Sequence, residues 1–528
     1  FGLVDPTPPP KTAPFALPHM PRCPGLGLLA LALSVAEGSA VASRNGFAGG
    51  RAALRGGGAG GAKASPHYWP HARGRAPLYS AAAYRGPADL NASLAWTWSH
   101  PKGTYGTVVI GGPLIDSEKN IYLATADGVR KFSPEGEVLW HYDPPGNAMG
   151  CPSLMGDALY GSTADGHLYA ISLESGEELW SREHADMVWP GHSFVEAHDG
   201  VVLAGMKKFP LGGNAEIIAV SAETGKMLWK RRTAAPLHTV MPLFPDDDTT
   251  VVMDVQGGLS RLGLHNGTQL WHKAPPGPFL QISVTEGGAA LGPDGSVYTC
   301  SNPPRSKGHL QTDDHGGVVR KFRLSDGAKL WEQVTAYPCG SFPAVSQDGG
   351  LVVVPIGGAL ENPLQSEADT SAKAMVLGKV FGDELVPIAE RSINLGQRQR
   401  ADAGLPDLPG AVLALDAQTG KPRWQHEVAP WGRVMGAGEE EGLSMRAMEV
   451  QHPRLWCMGP HWTAPSISRD GTVYVGRSSG DLYALSAGGG LAAFHTGNTA
   501  PPAGASFAPG IMAYADCTTL YVFRTPAA

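Results

Sequence analysis

The six cysteines include no adjacent pair and no Cys-x-x-Cys spacing. A zinc ribbon, a c-type haem attachment and a thioredoxin-type centre are thereby excluded. The chain also lacks a G-x-S-x-G elbow, a Walker A loop and an H-E-x-x-H motif, so no local signature assigns a catalytic class. No uninterrupted apolar run is long enough to cross a bilayer as a helix. Basic residues are in deficit over most of the chain: from residue 89 onward there are 32 Lys and Arg against 46 Asp and Glu. That balance gives no general attraction for nucleic acid or anionic lipid.

Glycine and proline are abundant, 70 and 45 of 528 residues, and the glycine recurs in a pattern. The stretch Ala170-Ile-Ser-Leu-Glu-Ser-Gly-Glu-Glu-Leu-Trp180 returns as Ala219-Val-Ser-Ala-Glu-Thr-Gly-Lys-Met-Leu-Trp229 and as Ala414-Leu-Asp-Ala-Gln-Thr-Gly-Lys-Pro-Arg-Trp424. Weaker copies end at Trp140, Trp271, Trp331 and Phe494. In each copy a glycine precedes the aromatic by four residues, from Gly136 to Gly490. An alternating apolar run, a glycine turn and an apolar pair form a hairpin pattern. A β-rich unit recurring every ~40 residues or more predicts a propeller. The fold expected is all-β: one eight-bladed β-propeller of four-stranded blades, with seven blades as the alternative.

Closure of the ring is also legible. Leu94-Ala-Trp-Thr-Trp98 reads as the last strand of a blade whose other strands lie at Phe507–Tyr514 and Thr519–Phe523. Strands from both termini would then close one blade and leave no free sheet edge. Upstream, residues 1–19 read as a Pro-rich extension and 20–42 as a signal peptide. The latter has a basic start at Arg22, an apolar run Leu26–Ala36 and small residues at Ala40-Val-Ala42. Residues 43–65 are rich in Gly, Ala and Arg, either a linker or the second half of a bipartite organellar leader. The expected location is therefore the secretory pathway or outside the cell, with a plastid or other organelle lumen as the alternative. The propeller is assigned to 66–528, with insertions at 301–316, 357–409 and 430–460.

These units resemble the pyrroloquinoline-quinone-type repeat, the tryptophan-docking propeller repeat of quinoprotein dehydrogenases and of a bacterial outer-membrane assembly lipoprotein. The matching pieces are the A-x-D/S-x-x-T/S-G-x-x-x-W string, strands such as Thr472-Val-Tyr-Val-Gly476, and Trp69-Pro70 at the start. The resemblance implies that Trp98, Trp140, Trp180, Trp229, Trp271, Trp331 and Trp424 are structural residues that pack on the neighbouring blade. It also implies, for the dehydrogenase branch, pyrroloquinoline quinone with calcium and the oxidation of an alcohol or sugar. That branch often carries a Cys-Cys pair over its cofactor, which this chain lacks.

In a four-stranded blade with strands A to D from the axis outward, A–B and C–D turns share one face; B–C and D–A connections share the other. The A–B and C–D turns here are tight, as at Asp294-Gly295, Asp470-Gly471 and Thr224-Gly225, whereas the long insertions all fall in B–C or D–A connections. Long loops on a rigid scaffold carry function. Candidates on that face are His309, Asp313, Asp314 and His315, whose imidazoles and carboxylates suit a divalent metal, although a solvated polar loop is the favoured reading; no metal is assigned. Trp431, Arg433, Trp456, His461 and Trp462 have the composition of an interaction surface, or of a loop packed on its scaffold. His192, with Cys151, Met241 and Cys339, is expected at the channel mouth. The expectation is a non-catalytic propeller that binds a protein or small molecule through this face, with no cofactor. The alternative is a quinone- and calcium-dependent dehydrogenase.

Overall fold

The computed structural model describes residues 62–103, 106–185, 194–208, 214–237, 241–274, 288–302, 316–358, 407–433, 436–438, 462–486, 488 and 490–526. The leader segments read from the sequence lie outside these residues. The described strands form eight antiparallel sheets arranged as an eight-bladed propeller. Blades are numbered here from the one that begins at Leu114. Seven have four strands; blade 4 has three, with a single bridge from Leu243 to Val251 in place of its innermost strand. The one helix among the described residues is Leu90–Ser93, capped by Asp89, whose carboxylate accepts from the Ala92 N–H at 3.0 Å. Blade 8 is built from Ser506–Ala508, Ile511–Ala515 and Thr519–Arg524, and its outer strand is Leu94–Ser99 from the other end of the domain. Trp96 pairs with Val522 and Trp98 with Leu520.

Burial follows position within the blade. Second strands such as Leu351–Gly357 are β-branched, apolar and covered on both faces. Outer strands such as Val138–Tyr142 and Lys329–Val334 are mostly exposed apart from a half-buried Trp. Those tryptophans join the blades. Trp180 donates its indole N–H to the Ala222 carbonyl at 2.8 Å, and its ring lies against Gly225 in the turn of the next blade. A Cβ on Gly225 would come within 2.5 Å of Trp180 Cε3, and its φ of +66° is a conformation that favours glycine. The same contact pairs Trp140 with Gly176, Trp229 with Gly267, Trp271 with Gly327 and Trp331 with Gly420. Their indoles donate to Leu173, Leu264, Leu324 and Ala417.

Register explains how each Trp is aimed. In every blade except the seventh, the third and fourth strands slip by one residue just before the Trp. The extra residue is a β-bulge, which bends the outer strand and re-aims the side chain that follows it. Five of these bulged residues, Leu139, Leu179, Leu228, Leu270 and Leu330, are exposed.

Two of the seven expected docking residues behave differently. In blade 8 it is Trp96, not Trp98, that lies on Gly136 and donates to the Pro134 carbonyl at 3.0 Å; Trp98 packs on Phe132 and under Arg130. The bulge sits between Leu94 and Trp96, so it selects the first tryptophan of the pair. Trp424 has no hydrogen-bond partner for its indole nitrogen. A Cβ built on Gly490, the corresponding turn glycine of blade 7, meets only Ser486. Blade 7 also pairs its outer strand without a bulge, and its closing residue is Phe494, packed on Tyr521 and Phe523 of blade 8.

A glycine comparison tests this. Gly225→Ala is expected to destabilise strongly, because it adds both the Trp180 clash and backbone strain, whereas Gly490→Ala changes little. Trp180→Ala is expected to cost about 3–5 kcal/mol. Denaturant unfolding monitored by tryptophan fluorescence measures all three; equal losses for the two glycines would contradict the docking assignment.

Candidate functional site

Strand order puts the long connections on one face. Residues 209–213, 303–315 and 359–406 each join the second and third strands of a blade, and 434–461 join blades 6 and 7. His192, His309, Asp313, Asp314, His315, Trp456 and His461 lie outside the described residues. Trp431 ends the long outer strand Pro422–Trp431 and pairs with Leu408; the Arg433 guanidinium lies 5.6 Å from its ring. These two are therefore neighbours at that face. Trp462 is not a surface residue. It is 0% exposed, with the Arg477 guanidinium 5.3 Å from its ring centroid and the ring edge close to Gly410. Arg477 donates to the carbonyls of Leu408, at 2.9 Å, and Ala429. It thereby ties blade 7 to the extended hairpin of blade 6. The sequence signal was a lone Arg ending the apolar strand Val473–Arg477; a buried charge must find partners.

Cysteine pairing, open at the level of sequence, is partly decided. Cys300 and Cys339 form a disulfide with Cα atoms 5.7 Å apart. It links the second strand of blade 5 to the inner segment of blade 6, beside the roots of 303–315 and 359–406. Asn302 brackets it, accepting from the Cys339 N–H at 2.7 Å and donating to its carbonyl at 3.2 Å. Cys517 is also disulfide-bonded. Cys151 is a buried free thiol, and burial pushes its pKa up to about 12. It is therefore a thiol rather than a reactive thiolate.

The axis of the ring is filled by the chain itself. Residues 69–82 reach an inner segment of every blade. Trp69 exchanges backbone hydrogen bonds with Ile115, and its ring meets Phe507 at 5.6 Å. The Pro70 carbonyl accepts from Leu154 N–H at 2.8 Å, the Tyr79 hydroxyl from Phe244 N–H at 3.2 Å, and the Ser80 carbonyl from Ile467 N–H at 2.7 Å. Arg73 donates to Ala289 O at 2.9 Å, Pro343 O at 2.7 Å and Ser80 Oγ at 3.1 Å, and its guanidinium lies 4.3 Å from the Phe342 ring centroid. Phe342 in turn meets Phe194 edge-on at 5.9 Å.

Beside Arg73, His71 forms a fully buried ion-pair contact with Glu196. That contact is not aligned as a hydrogen bond, so neither carboxylate oxygen of Glu196 has a directed donor. Burial pushes the Glu196 pKa up, and His71 and Arg73 oppose the rise. Burial likewise lowers Arg73 to about 9, which leaves it cationic at neutral pH. None of these residues was singled out in the sequence. The available signal was Glu196, an acid inside the inner strand Val195–His198.

On the insertion-bearing face, Asp516 is buried and accepts from the N–H groups of Thr518 and Thr519, both at 2.7 Å, and from the Tyr521 hydroxyl at 3.0 Å. Burial outweighs these bonds and raises its pKa to about 7. The folded state then holds this proton more tightly than the unfolded chain. Its contribution to stability is greatest below the unfolded value near 4 and is lost as pH rises toward 7. Asp516→Asn is expected to flatten that decline; thermal unfolding between pH 4.5 and 8 measures it, and an unchanged slope would refute the assignment.

A family model described as outer membrane protein assembly factor BamB matches residues 96–182 and 176–354. Quinoprotein alcohol dehydrogenase PedH of Pseudomonas putida is 25% identical over 300 residues, 52% of this chain and 48% of that protein. Outer membrane protein assembly factor BamB of Burkholderia pseudomallei is 27% identical over 222 residues, 39% of this chain and 50% of that one. The chain thus spans about half the length of the curated relatives it matches. The crystal structure of BamB from Moraxella catarrhalis superposes with a TM-score of 0.50 at 13% identity, covering 82% of this chain and 97% of that one, a likeness of fold alone. With the repeats, the docked tryptophans and the eight blades in agreement, the chain belongs to the pyrroloquinoline-quinone-like repeat propeller family.

Proposed function

We propose that this protein is a non-catalytic propeller that holds a protein partner on its insertion-bearing face. The observation that carries this reading is the filled axis. A quinone cofactor with calcium would call for an aromatic floor, a carboxylate pair and a free cation along the channel. The described axial residues supply Arg73, engaged by two carbonyls and a hydroxyl, and Glu196, in contact with His71. Among the described residues no group of three His, Cys, Asp or Glu side chains is placed to hold a metal ion. This set does not fit the cofactor, and no catalytic step is derived through it.

Support for a binding role comes from the placement of the long connections on one face. The name of the assembly-factor relatives points the same way. The disulfide between blades 5 and 6 supports an oxidising compartment, in keeping with passage through the secretory pathway or residence in an organelle lumen. The similarity to quinoprotein alcohol dehydrogenase favours the competing reading, so one experiment addresses both. With pyrroloquinoline quinone and calcium added to the full chain, neither melting temperature nor tryptophan fluorescence is expected to move. A site held at 100 times its Kd would stabilise by about 2.7 kcal/mol, and such a shift accompanied by alcohol-dependent dye reduction would make this protein a dehydrogenase. Replacing 359–406 with a short Gly-Ser loop is expected to abolish partner capture while leaving the melting transition intact. A control substitution on the opposite face, such as Lys421→Ala, should retain capture; equal capture by both variants would defeat the proposal.

A further inference from the structure

We infer that the axis of the propeller is a guanidinium socket, and that residues 69–82 serve as its built-in ligand and pin the eight blades together. An inner strand has only one neighbour in its own sheet, so its axial edge presents unpaired N–H and C=O groups. Buried backbone groups of this kind need partners. Here the partners come from one strap. It supplies acceptors to Ile115, Leu154, Phe244 and Ile467, and donors to the carbonyls of Ile115, Ala289, Pro343 and Ile467. At its centre, two main-chain carbonyls from different blades and the Ser80 hydroxyl surround one planar cation. The Phe342 ring lies against it, and the buried Glu196 carboxylate is close enough to favour positive charge.

The donor geometry selects the ligand class. Arg73 uses Nε and both terminal nitrogens on three separate acceptors, a fork that an ammonium group at the end of a lysine cannot reproduce. Phe342 adds cation–π attraction for the same flat group. The turn that presents Arg73 is closed by reciprocal hydrogen bonds between His71 and Gly74, and Gly74 takes a φ of +106°. The chain leads into the strap from the face opposite the insertions: Lys63 bonds there to Asp199 and Asp247 in tight turns of blades 3 and 4. The axis is therefore occupied without obstructing the insertion-bearing face.

Chemical rescue tests the socket in the full chain. Arg73→Ala is expected to melt several degrees below the native protein, and Arg73→Lys to remain well below it. Guanidinium chloride at low millimolar concentration, far beneath its denaturing range, should raise the melting temperature of Arg73→Ala relative to equal sodium chloride, and should not raise that of the native protein. Unchanged melting of Arg73→Ala, or no difference between guanidinium and sodium, would overturn the inference. If Arg73→Ala does not fold, hydrogen exchange on the native protein decides. The Trp69 and Ala82 amides should be protected as well as the inner strands, and loop-like exchange would overturn the inference. The inference shares the filled axis with the proposed function, but none of these readouts depends on a partner or a cofactor, so their failure is distinguishable from a failure of partner capture.

Discussion

The ring depends on one repeated contact, an indole laid flat against a glycine turn of the next blade. Each contact needs three things together. A bulge must aim the tryptophan, a glycine must leave room for its face, and a carbonyl must accept its N–H. The three sit on two adjacent blades, so no blade completes its packing alone. That interdependence makes a row of hairpins one cooperative unit.

The contact is absent at the two seams of blade 7; between blades 7 and 8, Phe494 packs on Tyr521 and Phe523 instead. Between blades 6 and 7 the Trp424 indole nitrogen is unpartnered, and the turn glycine of blade 7 has no ring against it. A different interaction joins these blades: Arg477 reaches the carbonyls of Leu408 and Ala429 while lying over buried Trp462. The two longest connections, 359–406 and 434–461, spring from blade 6 at or beside this seam. Where the repeat is lost, the insertions are rooted, and side chains specific to this chain replace the repeat's own packing.

The axis and the insertion-bearing face divide the labour of the molecule. A wide ring leaves inner strand edges that must be satisfied by water, a ligand or protein. Here the strap satisfies them, and its charges are balanced inside the fold rather than offered to substrate. Under the proposed function, recognition falls to the face from which the long connections emerge, stapled at its base by Cys300–Cys339.

Sequence narrowed the blade count to eight or seven and indicated the closure by both termini and the face that carries the insertions, because these depend on local signals: a two-residue alternation, a turn glycine and the length of each connection. Five of the tryptophans it marked lie against a glycine turn of the next blade. It did not show that Trp96 rather than Trp98 meets the glycine turn, since a one-residue bulge chooses between them and spacing alone does not reveal a bulge; Trp98 packs on Phe132 of the same neighbouring blade. Trp424 packs on a core cluster shared by blades 6 and 7 but lacks the glycine contact and the indole bond of the others. Only the tertiary structure decided that Trp462 is buried, that Cys300 meets Cys339, and that Arg73 and Glu196 lie on the axis. Cys300 and Cys339 stand 39 residues apart in adjacent blades, and Arg73 bonds to Ala289 and Pro343 far along the chain; the packing of blades brings them together, and no local pattern reveals it. The hydrogen-bond partners of Arg73 therefore exist only once the strap has met blades 5 and 6.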